Sequence, residues 1–253
     1  MTTPTTIRIF ASPEGVARHA ARTLIDVCAS LEEGPISLCL SGGSTPALLY
    51  TRLAEDCAEE VPWHRIHIFF GDERCVPPAH EDSNFHIAVK NLLARVPVPV
   101  EQVHRMPADL ADLAAAAFSY EEEVRHSVPT GPSGEPAFDL VWLGLGEDGH
   151  TASLFPGSEA LADTENLVSQ AADPGGSKRM TLTLPLINSA RRVQFLVTGA
   201  RKARIVRQIL GPPPEEAPVV PLPAARVRPL YGTTEWLLDR EAAAEINDPG
   251  LIA

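Results

Sequence analysis

Residues 138–157 read FDLVWLGLGEDGHTASLFPG: a short apolar run that breaks into a glycine-rich turn. Phe138–Leu143 reads as a buried strand. The turn after it carries Asp148 two residues before His150. Imidazole is the side chain that titrates closest to neutral pH. A carboxylate beside it orients the ring and favours its charged form. Glycines at 144, 146 and 149 let the backbone approach a ligand without side-chain clash. Taken alone, the stretch is equally consistent with a tight strand-to-helix connection holding an incidental histidine.

Working outward, the same alternation recurs. Ile36–Leu40 and Ile66–Phe70 read as strands, as do Val193–Thr198 and the segment TLTLP (181–185). Ser44-Thr45-Pro46 gives a helix start with a hydroxyl cap and a proline in the first turn. Leu49, Leu53 and Cys57 follow on one helical face. Asp109–Val128 reads as a surface helix and Ala200–Leu210 as another. Glu235–Leu238 reads as a last strand, with Asp239 capping a final helix through Ile246. Short apolar runs alternating with helical patterns predict an α/β fold built on a mostly parallel sheet. The turn-rich segment 129–136 and the proline-rich segment 211–223, expected to be extended and poorly packed, are each followed by renewed alternation. One domain over residues 1–253 is expected.

In a doubly wound sheet, ligands bind beyond the carboxyl ends of the strands. Four unusual segments fall there: SGGST (41–45), GDER (71–74), GLGEDGH (144–150) and TGARK (198–202). Gly42 and Gly43 bring N–H groups close together, Ser44 and Thr45 add hydroxyls, and a helix starting near Pro46 aims its positive end at an anion. A plain glycine turn before a capped helix is the competing reading. Lys202 sits in the first turn of its helix, where a cation opposes the helix dipole unless an anion binds nearby. Arg74 is placed to reach a phosphate or carboxylate, or to pair locally with Asp72 or Glu73. Arg179 is a weaker candidate of the same kind.

Other chemistries are excluded. The GxxxxGK[ST] spacing of a P-loop is absent. GLGEDG matches GxGxxG by letter, but no helix opens there and no acid-tipped strand follows, so no nicotinamide cofactor is expected. No GxSxG occurs, and the remaining histidines form no metal-ligand set. A net charge of −12 argues against nucleic-acid binding. Four cysteines without a CxxC pair suit a reducing compartment. No apolar run approaches 18 residues, and the opening MTTPTTIRIF shows no basic region followed by an apolar core. A cytoplasmic protein with no membrane partner is expected.

Together LSGGSTP (40–46), FFGDERCVP (69–77) with Ser83-Asn84, LGLGEDGHTASLFPG (143–157), RMTLTLPLIN (179–188), TGARKA (198–203) and TEWLLD (234–239) resemble the 6-phosphogluconolactonase family. The resemblance implies a Rossmann-like doubly wound sheet with helices on both faces. It implies hydrolysis of 6-phospho-D-glucono-1,5-lactone without metal or cofactor by a protein expected to be monomeric. It makes His150 the catalytic histidine, with Asp148 beside it. The SGGST loop, Asp72, Arg74, Arg179 and Lys202 become the substrate and phosphate site. The related aminosugar-phosphate deaminases resemble DGHxAxNEPG; here Phe155 replaces the glutamate. A deaminase or isomerase, or a non-catalytic sugar-phosphate binder on the same scaffold, are the alternatives.

Overall fold

Strands buried on both faces must be apolar throughout, whereas strands with one wet face alternate. Ile36–Leu40 (β2) and Leu140–Leu143 (β5) are buried at every position, so both faces are covered. These strands sit at the centre of the computed structural model, which describes residues 5–211 and 221–246. The chain order begins β1 (Thr5–Phe10), α1 (Pro13–Ser30), β2, α2 (Ser44–Asp56), β3 (Ile66–Phe70), β4 (Asp72–Arg74), α3 (Asn84–Ala88), α4 (Leu113–Ser127) and β5. It continues α5 (Glu159–Ala162), β6 (Val168–Ala172), β7 (Lys178–Leu182), α6 (Leu184–Ser189), β8 (Arg192–Val197), α7 (Ala203–Leu210) and β9 (Thr233–Asp239).

Among the described residues six strands form one sheet in the order β1-β9-β8-β5-β2-β3. Every neighbouring pair is parallel. From β2 the chain moves through α2 to β3 at one edge, then returns to place β5 on the other side of β2. The strand order therefore reverses between β2 and β5, where the diverging loops leave a crevice. A second, antiparallel sheet, β4-β7-β6, lies in the middle of the sequence. It was not anticipated: β4 is three residues long and shows no period. Its register sets Asp72 opposite Thr181 and Arg74 opposite Arg179.

Several expected boundaries move. The strand expected at 138–143 starts at Leu140. Asp139, just before it, accepts from Ser37 N and Oγ, both at 2.8 Å. α2 has no hydroxyl cap: Gly43 is its N-cap and Ser44 its first residue. α4 begins only after Asp112, whose carboxylate accepts from Ala115 N at 3.0 Å. It is no mere surface helix, since Leu113, Ala116, Tyr120 and Val124 are buried. TLTLP straddles an element end: β7 stops at Leu182 and Thr183 caps α6. Residues 200–202 form a 3₁₀ turn before α7. After Asp239 the described residues form turns, not the expected helix. Most of the proline-rich segment, 212–220, lies outside the described residues. Its far end is packed rather than loose, because Leu222 and Ala224 contact the loop at Gly149.

Candidate active site

A cavity of about 600 Å³ opens at the carboxyl end of the parallel sheet, across the crevice between β2 and β5. Eight of the ten residues expected in the site line it. Gly42 and Gly43 come from the loop after β2, Asp148 and His150 from the loop after β5. Asp72, Arg74 and Arg179 come from the antiparallel sheet, and Lys202 from the turn before α7. Ser44 and Thr45 line a smaller space of about 320 Å³ that shares Gly42, Gly43 and Lys202. Thr45 Oγ1 lies 2.7 Å from Thr198 Oγ1, joining the loops after β2 and β8.

The geometry of residues 144–150 is set by its own hydrogen bonds. Gly146 N donates to the His150 carbonyl at 2.8 Å, and Gly149 N to the Gly146 carbonyl at 3.1 Å. Asp148 Oδ1 accepts twice, from His150 N at 3.1 Å and from the ring at Nδ1 at 2.6 Å. The carboxylate thus folds the loop and orients the imidazole together. A carboxylate acceptor places the ring proton on Nδ1 and leaves the Nε2 lone pair free. Burial pushes the Asp148 carboxyl up, but the hydrogen bonds from His150 outweigh it and hold Asp148 below the usual range. Position 146 must be glycine for this pair: a Cβ there would lie 2.1 Å from His150 Nδ1 and 2.5 Å from Asp148 Oδ1. Phe155 closes one side of the ring, centroid to centroid 4.6 Å.

Cations enter from two directions. Arg74 and Arg179 face each other across β4 and β7. Like charges directly opposite in a ladder repel unless anionic groups offset them. The Asp72 and Glu73 side chains do not neutralise Arg74, as one reading had it, because both are engaged elsewhere. Glu73 accepts from the backbone N–H groups of Arg74, Asn84 and Phe85 and from Ser83 Oγ. Asp72 accepts from Asn84 Nδ2 at 3.0 Å and Ser153 Oγ at 2.7 Å. The Arg74 guanidinium donates to the Asp82 carbonyl, and Arg179 Nη2 to Asp173 Oδ2 at 2.8 Å. Lys202 approaches from the other flank. Burial draws its ammonium below the ordinary lysine range, and Glu147 offsets this only in part. Asp239 holds the loop that carries Lys202, accepting from Gly199 N at 3.0 and 3.1 Å.

Four buried side-chain atoms among the described residues have no hydrogen-bond partner: Ser41 Oγ, Asn84 Oδ1, Arg74 Nε and Arg179 Nε. All four belong to residues lining this cavity. Buried polar groups are otherwise almost always paired, so the unpaired ones mark where polar chemistry converges. Asn84, Ser153 and Asp173 were not expected in the site; Ser41 was, as part of the SGGST loop. Ser41 and Ser153 lie inside the segments singled out from sequence. Asp173 has no sequence signal, because only the β6–β7 hairpin brings it to Arg179. Among the described residues, no group of three or more His, Cys, Asp or Glu is placed to hold a metal ion.

An α/β fold that gathers an oriented histidine and three cations in one cavity defines a protein that handles small anionic molecules. The chain belongs to the family described as glucosamine-6-phosphate isomerases/6-phosphogluconolactonase, whose model matches residues 11–236. A 6-phosphogluconolactonase of Synechocystis sp. is 42% identical over 216 residues, 85% of this chain and 87% of that protein. One from Nostoc sp. is 39% identical with the same coverage. The crystal structure of 6-phosphogluconolactonase from Leishmania guyanensis superposes with a TM-score of 0.86 at 31% identity, covering 96% of this chain and 99% of that one. A monomeric glucosamine-6-phosphate deaminase, at 22% identity and a TM-score of 0.75, shares the fold.

Proposed function

We propose that this chain hydrolyses 6-phospho-D-glucono-1,5-lactone to 6-phospho-D-gluconate, the lactone-opening step of the oxidative pentose phosphate route, with His150 as general base. The observation that carries the mechanism is the Asp148–His150 pair, 2.6 Å apart, in a cavity flanked by Arg74, Arg179 and Lys202. Nε2 of neutral His150 takes a proton from water as the water oxygen attacks C1. The carbonyl becomes an oxyanion, stabilised by N–H groups of the glycine loop or by Arg74. The imidazolium returns the proton to the ring oxygen as the C1–O bond breaks. General-base assistance of this kind contributes about 10²–10⁴-fold.

The phosphate is held by Gly42, Gly43, Ser44 and Thr45 at the start of α2, with Lys202, Arg74 and Arg179. Binding it supplies remote energy that places C1 beside His150. Asp72 shapes the wall through Asn84 and Ser153. The reading carries with it a cytoplasmic, monomeric enzyme that needs no cofactor. No helix among the described residues is long and apolar enough to cross a membrane.

The test supplies the purified protein with lactone generated in situ from glucose 6-phosphate and its dehydrogenase. Formation of 6-phosphogluconate is followed above the spontaneous background, with and without EDTA. Acceleration that survives EDTA is expected. No acceleration by folded protein overturns the reading. Ammonia release from glucosamine 6-phosphate would replace it with the deaminase.

A further inference from the structure

Gly42 has no conformational reason to be glycine. Its φ lies outside the left-handed region, unlike that of Gly43 at +106°. What bars a side chain there is Asn84: a Cβ at position 42 would lie 1.8 Å from Asn84 Oδ1 and 2.4 Å from its Cγ. The amide cannot turn aside. Asn84 Nδ2 donates to the Asp72 carbonyl at 2.8 Å and to Asp72 Oδ1 at 3.0 Å. Flipping it would set an oxygen against two acceptors, so Oδ1 faces away from Asp72, against Gly42. The main chain is equally fixed, because Glu73 accepts from Asn84 N and Phe85 N, each at 2.8 Å. Asp72 also accepts from Ser153 Oγ at 2.7 Å, three residues beyond His150. One side chain therefore touches the glycine loop on one side and, through Asp72, the histidine loop on the other.

We infer that Asn84 is a positioning residue: it interlocks with Gly42 and sets the glycine loop at a fixed height relative to the loop bearing His150. This rests on the reading of residues 42–45 as part of the phosphate site. The distance between phosphate cradle and base decides whether C1 meets Nε2, and a displacement near 1 Å costs about 10²-fold in rate.

A double-mutant cycle tests it. The readouts are the ratio of kcat/KM for the 6-phosphorylated lactone to that for glucono-1,5-lactone, and thermal melting. Gly42→Ala lowers the ratio about tenfold or more. In the Asn84→Ala background the same change costs less than about threefold, since the atoms its methyl would strike are gone. An equal cost in both backgrounds overturns the interlock. Coupling in melting temperature without coupling in the substrate ratio overturns the positioning role. If Gly42→Ala alone does not fold, recovery of folding in the double variant supports the interlock, and failure to recover overturns it. Lys202→Ala is the reference. If it leaves the ratio unchanged, the phosphate reading falls and the inference with it. If it collapses the ratio while the cycle is additive, only the interlock falls.

Discussion

At the scale of single residues, the proposed chemistry turns on one hydrogen bond and on the atom missing from Gly146. His150→Ala removes the base, so kcat falls about 10²–10⁴-fold while the melting temperature stays near that of the parent, because the ring is partly exposed. Near-normal turnover in that variant would sink the assignment. Gly146→Ala asks a subtler question. Its methyl would occupy space 2.1 Å from Nδ1 and 2.5 Å from Asp148 Oδ1, so either the ring or the carboxylate must leave. Loss of kcat with KM little changed is expected, since the cations on the flanks are untouched. If KM alone rises, the loop serves binding and not base catalysis. Asp148 and His150 were legible in sequence because two residues of spacing in a turn suffice to bring them together. The need for glycine at 146 was legible only as permissiveness. Which atoms it makes room for depends on how the turn closes through the Gly146 N–His150 O bond.

At the scale of elements, a polar network joins five of them: four strands of the parallel sheet and α1. Glu235 on β9 accepts from Arg8 on β1 at 2.6 Å and from Gln194 on β8 at 2.6 Å, with His19 of α1 at 3.4 Å. Gln194 also donates to Thr23 of α1 and accepts from Trp142 of β5. Burial raises the Glu235 carboxyl, but the bonds from His19, Gln194 and Arg8 outweigh it and bring it down to about 2. A depressed folded-state value means this stability is present above the unfolded-state range and is lost as pH falls toward 2. Glu235→Gln should therefore cost on the order of 1–3 kcal/mol at pH 7. It should also flatten the loss of stability between about pH 4.5 and pH 2. Denaturant melts across that range decide it: parallel acid limbs in parent and variant would refute the account. None of this network was read from sequence, because its members are separated by up to 227 residues and none has a local signature. The strands themselves were legible, since burial on both faces writes an apolar run. Their ends were less so. Asp239, expected to cap a helix, spends its carboxylate on Gly199 N and Ala242 N and so anchors the Lys202 loop to β9.

At the scale of the molecule, the four strand-end loops were legible together because a parallel sheet sends its strands' carboxyl ends to one side. The antiparallel sheet was not, although it completes the site. Strand β4 is too short to show a period, and the pairing of Arg74 with Arg179 spans more than 100 residues. Both arginines were candidates, but their confrontation was not foreseen. That confrontation has a thermodynamic consequence. The folded chain holds Arg74 and Arg179 at facing positions of the β4–β7 ladder, a partly buried ammonium at Lys202 and four unpartnered buried polar atoms around one cavity. An anion bound there pairs with these groups, so binding adds to the stability of the fold. A ligand at 100 times its Kd adds about 2.7 kcal/mol to stability, which in a chain of this size raises the melting temperature by roughly 5–10 °C. With 6-phosphogluconate at saturating concentration the parent should show that rise, and gluconate at the same concentration much less. Replacing Arg179 with Gln should affect the ligand-induced shift far more than the free protein. The free protein should lose only the small contribution of the Arg179–Asp173 ion pair, while the shift with 6-phosphogluconate should shrink. If Arg179→Gln destabilises the free protein strongly and leaves the ligand-induced shift intact, the arginine pair is a structural feature of the sheet, and the anion sits with Lys202 and the glycine loop instead.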